Sequence, residues 1–283
     1  MVIAITGSKG FIGSYLIERL KKSNHTLIEI DSKLGIDITN KNDLHRIMEF
    51  DCVIHLAGKI SVTDSFKFPD EYLTQNFLGT LNVLELCKKF NAKMIFASSY
   101  IYGEPKYLPV DENHPLIAHN PYSQSKIIGE QLCQLYSNCF NISSIAVRLF
   151  NIYGPKMREG HLIPTILKQA ASGKIELMDI RPKRDYVYID DVIDAYISCL
   201  RYENKEFNAF NISSGISYSI EDIVSIITQR LSKDVEVINL NKPRPNEILD
   251  VVGDFSKAKI ELGWEPKTDF KDGIAKLVDF YYK

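Results

Sequence analysis

Val2-Ile3-Ala4-Ile5-Thr6-Gly7-Ser8-Lys9-Gly10-Phe11-Ile12-Gly13 joins two periodicities within twelve residues. Residues 2–6 are a short, β-branched apolar run, as a buried parallel strand requires. Beyond the glycines, Tyr15, Leu16, Ile17 and Leu20 recur at helical spacing. Strand, glycine turn and helix in that order form the setting of a dinucleotide fingerprint. Gly7 permits the tight turn, Gly10 lets backbone amides approach a pyrophosphate, and Gly13 lets the helix pack closely. Phe11 and Ile12 belong to the same cofactor turn. The helix start offers that anion unsatisfied N–H groups and a positive dipole end.

Working outward, Leu27-Ile28-Glu29-Ile30 is a second short strand that ends in Asp31, 18 residues beyond Gly13. A carboxylate there accepts hydrogen bonds from both ribose hydroxyls of an adenosine and repels a 2′-phosphate, which favours NAD(H) over NADP(H). Lys33 follows two residues later and can neutralise a phosphate, so NADP(H) stays open. The link to Gly35-Ile36-Asp37-Ile38 is brief, with Asp37 and Ile38 either bordering the adenine or making a strand-end turn. Cys52-Val53-Ile54-His55-Leu56-Ala57-Gly58 and Met94-Ile95-Phe96-Ala97-Ser98-Ser99 read as further buried strands. A helical stretch over residues 70–90, carrying Asn76, lies between them. The alternation indicates a doubly wound parallel sheet, whose ligands sit beyond the carboxyl ends of the strands. His55, Leu56, Ala57, Gly58 and Ser98 fall on that side, with His55 read as structural.

Tyr122-Ser123-Gln124-Ser125-Lys126 follows Asn120-Pro121 and opens the apolar run Ile127, Ile128, Leu132, Leu135, Tyr136. Proline suits a first helical turn, and residues four apart share a helix face. A tyrosine with a pKa of about 10 is a poor proton carrier at neutrality, and bringing it to about 7 takes ~4 kcal/mol. One positive charge ~4 Å away, at an effective dielectric of ~20, supplies about that much. The spacing therefore suits a proton-transfer pair.

Composition excludes several classes. A net charge of -2 gives no case for nucleic acid or an anionic membrane. No apolar stretch approaches the ~20 residues of a membrane span, and the opening residues carry no basic leader. The five cysteines contain no CxxC pair and read as buried free thiols in a reducing cytosol. The histidines show no metal-ligand spacing. The expectation is a cytoplasmic, metal-independent protein with a substantial core.

These residues together resemble the extended short-chain dehydrogenase/reductase family that modifies nucleotide sugars. The likeness rests on Gly7/Gly10/Gly13, His55-Leu56-Ala57, Asn76 with Gly79-Thr80, Ser98-Ser99 ahead of Tyr102-Gly103, and Tyr122 with Lys126. It continues through Arg148-Leu149-Phe150-Asn151-Ile152-Tyr153-Gly154-Pro155 and Arg184-Asp185-Tyr186-Val187-Tyr188-Ile189-Asp190-Asp191. Arg244-Pro245-Asn246-Glu247 and Leu262-Gly263-Trp264 extend it almost to the end. The resemblance implies a Rossmann-type α/β fold with a smaller C-terminal α/β substrate-binding domain. Residues 1–155 and 186–210 would bind the cofactor, and 156–185 and 211–283 the nucleotide sugar. It implies that Tyr122 is the general acid/base, that Lys126 binds the nicotinamide ribose and lowers the Tyr122 pKa, and that Ser98 hydrogen-bonds the reacting sugar oxygen. Asn76 would join the cofactor site; Ser99, Tyr100, Asn151, Arg184, Arg244 and Glu247 would contact substrate. The two arginines suit a diphosphate through their planar fork of donors. A homodimer through helices around 70–90 and 121–139 is also implied.

Within the family, a 4,6-dehydratase would need acids at positions held here by Ser99 and Tyr100, which argues against dehydration. The first choice is an NDP-4-keto-6-deoxyhexose 4-reductase. Tyr100 would crowd the pocket against sugar rotation, the link after Asp31 is short, and Arg181-Pro182-Lys183-Arg184-Asp185-Tyr186 looks reductase-like. The alternative is an NDP-hexose 4-epimerase of the UDP-glucose type with tightly bound NAD. A non-catalytic NAD-binding sensor is a remote third reading. The second half is expected to contain a helix over 162–172, a strand and helix over 185–200 returning to the sheet, a helix start at Ser219, and a helical tail over 254–282 interrupted at Gly263 to Pro266.

Overall fold

A computed structural model describes residues 1–203, 205–232, 234–243 and 247–282. Six parallel strands form the main sheet: β1 (Val2–Thr6), β2 (Thr26–Ile30), β3 (Cys52–His55), β4 (Lys93–Ala97), β5 (Ser144–Leu149) and, later in the chain, Phe207–Ile212. Between β5 and that sixth strand come β6 (Asn151–Tyr153), β7 (Lys174–Leu177) and β8 (Lys183–Tyr188), so the sixth is β9. The sheet order is β2-β1-β3-β4-β5-β9. It reverses at β1, and the crevice beyond the carboxyl ends of β1 and β3 is the place for a ligand in such a sheet.

The period of two along each strand sorts its side chains onto two faces. Ile3, Ile5, Ile54, Ile95, Ile145 and Val147 enter one core; Ala4, Val53, Met94, Phe96 and Ala146 enter the other. The first core is covered by α1 (Phe11–Leu20) and a later helix, Ile189–Arg201. On the second face, past the short helices α2 (Lys41–Leu44) and α3 (Val62–Lys67), lie α4 (Pro69–Phe90) and α5 (Pro121–Phe140). Each helix offers one apolar stripe, as a doubly wound sheet demands. The Rossmann-type α/β fold expected from the sequence is present.

After β6 come α6 (Leu162–Ala171) and then α7, the helix at Ile189–Arg201. Here one expectation needs correcting. The helix α7 does return to the large sheet, but β8 does not. It pairs with β6, with β10 (Ser217–Ser219) and with β12 (Asp250–Val251) in a separate small sheet. The sixth place in the large sheet is taken by β9, in register from Ser144↔Phe207 to Leu149↔Ile212. The pair of β7 with β11 (Glu236–Asn239) stands apart again. Ser219 caps α8 (Ile220–Leu231) through a reciprocal box with Asp222, as its sequence signals. The tail is helical in two pieces, as expected: a π-turn over Ala258–Leu262 ends at Gly263, and α9 (Phe270–Tyr282) follows a break that runs a little beyond Pro266.

Four cysteines are buried, whereas Cys139 is exposed, against the expectation for all five. Among the described residues no helix is long and apolar enough to cross a membrane, and no group of three or more His, Cys, Asp or Glu could hold a metal ion.

Candidate active site

The glycine turn is closed by backbone packed on backbone. Gly7 sits at φ +70°, and a Cβ there would lie 2.9 Å from the Ala57 amide nitrogen. A Cβ on Gly13 would come within 2.2 Å of the Gly7 carbonyl oxygen. Neither position admits another residue without displacement. The helix α1 that follows has no side-chain cap on Gly10 and no acidic residue in its first turn. Its leading amides are left to an external acceptor, and Phe11 and Ile12 flank them.

Asp31 lies at the end of β2, with Oδ2 accepting the Lys9 amide and Oδ1 the Lys33 amide, both at 2.9 Å. Each oxygen keeps a lone pair for a ribose hydroxyl. Ile38 is buried beneath Gly79, where a Cβ would meet its Cδ1 at 2.5 Å. Asp37 is exposed and turns its carboxylate onto Thr39.

His55 holds this end together. Thr6 Oγ1 accepts the Leu56 and Ala57 amides and lies 2.7 Å from His55 Nδ1. His55 Nε2 reaches Thr80 Oγ1, which donates to the Asn76 carbonyl. This network assigns a neutral ring with its proton on Nε2. Burial, aided by the nearby Lys126 charge, pushes the imidazole down to about 3. His55 is therefore structural. Asn76 accepts from the Lys59 amide and donates to the Lys59 carbonyl and to Ser125 Oγ. Its side chain thus ties the exit of β3, next to Gly58, to α5.

Helix α5 begins at Asn120, whose Oδ1 accepts the Ser123 amide at 2.7 Å while Ser123 Oγ accepts the Asn120 amide. This box holds the turn that carries Tyr122. Lys126, one turn on, is 4% exposed, and its Nζ donates to the Ala97 carbonyl at 2.8 Å. Ser98, the next residue, is buried and its Oγ has no protein partner. Ser99 instead hydrogen-bonds the Tyr122 phenol.

Here the electrostatics differ from expectation. Burial raises the Tyr122 pKa above its ordinary value, and only the Ser99 hydrogen bond opposes it. The Lys126 ammonium is 5.9 Å from the Tyr122 ring centre. A buried ammonium needs an acceptor, and the Ala97 carbonyl supplies it. Burial pushes Lys126 itself down to about 8.

On the opposite side, Arg184 donates to the Lys183 and Ile248 carbonyls and pairs with Glu247. Two residues read as separate ligands, 63 apart in sequence, thus engage each other. Asn151 is exposed on β6 opposite Tyr186 of β8. Arg244 lies outside the described residues. The Tyr100 hydroxyl donates to the Gly103 carbonyl, and its ring packs edge-on against Tyr102 and Phe150. Arg181 pairs with Asp179, and buried Asp185 accepts from Ser214 N, Ser214 Oγ, Gly215 N and Gly253 N. Burial still pushes Asp185 up to about 6.

Sequence reasoning missed the pair Arg148–Glu130, both side chains nearly inaccessible, with Tyr102 bridging from Arg148 to Asn211. One signal was present: Glu130 lies four residues beyond Lys126 on the same helix face.

The family model described as "NAD dependent epimerase/dehydratase family" matches residues 3–213. A putative UDP-glucose 4-epimerase of Methanocaldococcus jannaschii is 34% identical, over 99% of this chain and 98% of that protein. The structure of a UDP-glucose 4-epimerase with UDP-glucose from Thermotoga maritima superposes with a TM-score of 0.93 at 26% identity, covering 100% of this chain and 99% of that one. RMD from Pseudomonas aeruginosa complexed with NADPH gives a TM-score of 0.90 at 26% identity, over 99% and 98% of the two chains. The two UDP-glucose 4-epimerases back the epimerase alternative and do not support the reductase first choice.

Proposed function

The chain belongs to the NAD dependent epimerase/dehydratase family, and we propose that it inverts C4 of a UDP-hexose of the UDP-glucose type with NAD retained in the site. It is an enzyme of the short-chain dehydrogenase/reductase type. The observation that carries the reading is the buried, unpartnered Ser98 Oγ on the strand end that Lys126 also grips, beside the Ser99–Tyr122 contact. A buried hydroxyl without a partner is costly unless a ligand satisfies it.

The residues divide the work as follows. The open amides of α1 hold the pyrophosphate, and Asp31 the adenosine ribose. Lys126 exchanges the Ala97 carbonyl for the nicotinamide ribose. Tyr122 takes the proton of the C4 hydroxyl, and Ser98 donates to the same oxygen as its charge develops. Bound NAD supplies the acceptor for the C4 hydride and the donor that returns it to the other face. Arg184 leaves Glu247 for the substrate diphosphate, Glu247 is freed for a ribose hydroxyl, and Asn151 contacts the sugar or diphosphate. Asp31 favours NAD over NADP.

Purified protein given UDP-glucose or UDP-galactose without added cofactor should interconvert them, followed by proton NMR, with no net NADH. Oxidation of added NADH in step with an NDP-4-keto-6-deoxyhexose, without any interconversion, would overturn the proposal. Ser98→Ala should lower kcat by ~100-fold without lowering the thermal midpoint, since Ser98 Oγ bonds nothing in the protein. A homodimer through α4 and α5 is supported by the exposed apolar residues Phe77 and Leu135 on those helices, with sedimentation as its check.

A further inference from the structure

Glu29 and Asp31 are two apart at the end of β2, so their side chains leave the strand on one face. Asp31 holds the Lys9 amide, which fixes the Lys9 backbone at the edge of the position proposed for the adenosine ribose. The Lys9 side chain therefore starts within reach of a 2′-substituent. Its ammonium instead donates to Glu29 Oε2 at 2.5 Å. Lys21, at the end of α1, adds a second cation 3.8 Å from Glu29 Oε1. The Lys9 hydrogen bond holds the Glu29 carboxyl below its usual range. Lys33 Nζ makes only a long contact, 3.5 Å, to the Lys9 carbonyl.

A 2′-phosphate needs a cation or a guanidinium facing it, and carboxylates in its path repel it. We propose that Glu29 is a cofactor-specificity residue that acts through Lys9: by engaging the Lys9 ammonium it withholds from a 2′-phosphate the cation that would bind it. The inference rests on the NAD preference proposed above and gives it a second determinant beside Asp31. It also gives a role to the lysine inside the glycine turn, which the cofactor fingerprint itself does not require.

The test uses protein loaded with NADH, whose fluorescence is displaced by NAD+ or NADP+, so no catalysis is needed. Glu29→Gln should strengthen NADP+ as a competitor by ~10-fold, since one freed charge–phosphate contact is worth about 1.4 kcal/mol, and leave NAD+ almost unchanged. Glu29→Gln combined with Lys9→Ala should return the two midpoints to their original ratio. An unchanged ratio in Glu29→Gln, equal shifts for both nucleotides, or a gain that survives loss of Lys9 would each overturn the role of Glu29. A wild-type ratio near unity would instead break the NAD preference, and the change between variants would still be read independently of it.

Discussion

Helices α1 and α5 both start at the carboxyl edge of the large sheet, and they are finished in opposite ways. At α1 the cap is Gly10, with no side chain to accept an amide and no acid in the first turn. At α5, Asn120 and Ser123 satisfy each other's amides and Pro121 takes the first helical position. An unfinished helix start keeps donors free for an anion, whereas a finished one holds its own first turn. The difference matches the cargo of each. On the function proposed above, the first turn of α1 meets a ligand with its backbone, and the first turn of α5 holds the Tyr122 side chain still.

The comparison can be broken in four places. The largest effect is expected at Tyr122, where Tyr122→Phe should lower turnover by ~10³-fold while NADH binding, read by fluorescence, stays nearly unchanged. Near-normal turnover would mean that the capped turn of α5 serves packing alone. Next, Gly13→Ala drives a Cβ against the Gly7 carbonyl. It should cost ~3 kcal/mol and weaken NADH binding, measured by thermal melting and titration. Full affinity in that variant would show that the open start of α1 is not the anion site. Asn120→Ala removes the cap and should cost ~1 kcal/mol, with kcat falling more than KM rises because Tyr122 loses its fixed position.

The smallest effect is on pH dependence. Lys126 titrates at about 8 in the folded chain, below its ordinary value. Between that pH and the pKa of an unfolded lysine, the unfolded state holds the extra proton, so stability rises with pH across this window. Below about 8 both states are charged and the burial penalty is felt in full. Relative to Lys126→Met, denaturant unfolding of the wild type should gain stability from pH 8 toward 10; an identical slope in both proteins would remove the claim that the ammonium is held in a dry site.

Much of the α1 side was legible because its constraints are local. Gly7, Gly10 and Gly13 sit within one turn, and the need for close backbone approach can be read from residue type. The α5 side was legible in position but not in charge. Spacing put Tyr122 and Lys126 on one face, yet the Lys126 head group turned to Ala97, 29 residues earlier, because a buried ammonium seeks the best acceptor in space. The same holds for Tyr100, whose hydroxyl found Gly103. Arg184 and Glu247 were legible as polar ligands but not as partners, since nothing in a local pattern brings residues 63 apart into contact.

The amino-acid sequence by itself determined the strand–turn–helix start, the alternating parallel sheet, the start of α5 after Asn120-Pro121 and the placing of Tyr122 and Lys126 on one helix face. Each follows from backbone geometry and side-chain periodicity within a dozen residues. Only the tertiary structure decided that β8 leaves the large sheet for a small one, that Glu29 binds Lys9, that Asp185 ties the loops at Ser214 and Gly253, and that Ser98 Oγ is buried without a protein partner. Those outcomes depend on which donors and acceptors burial brings together, and that competition is settled across the whole chain rather than within any one stretch of it.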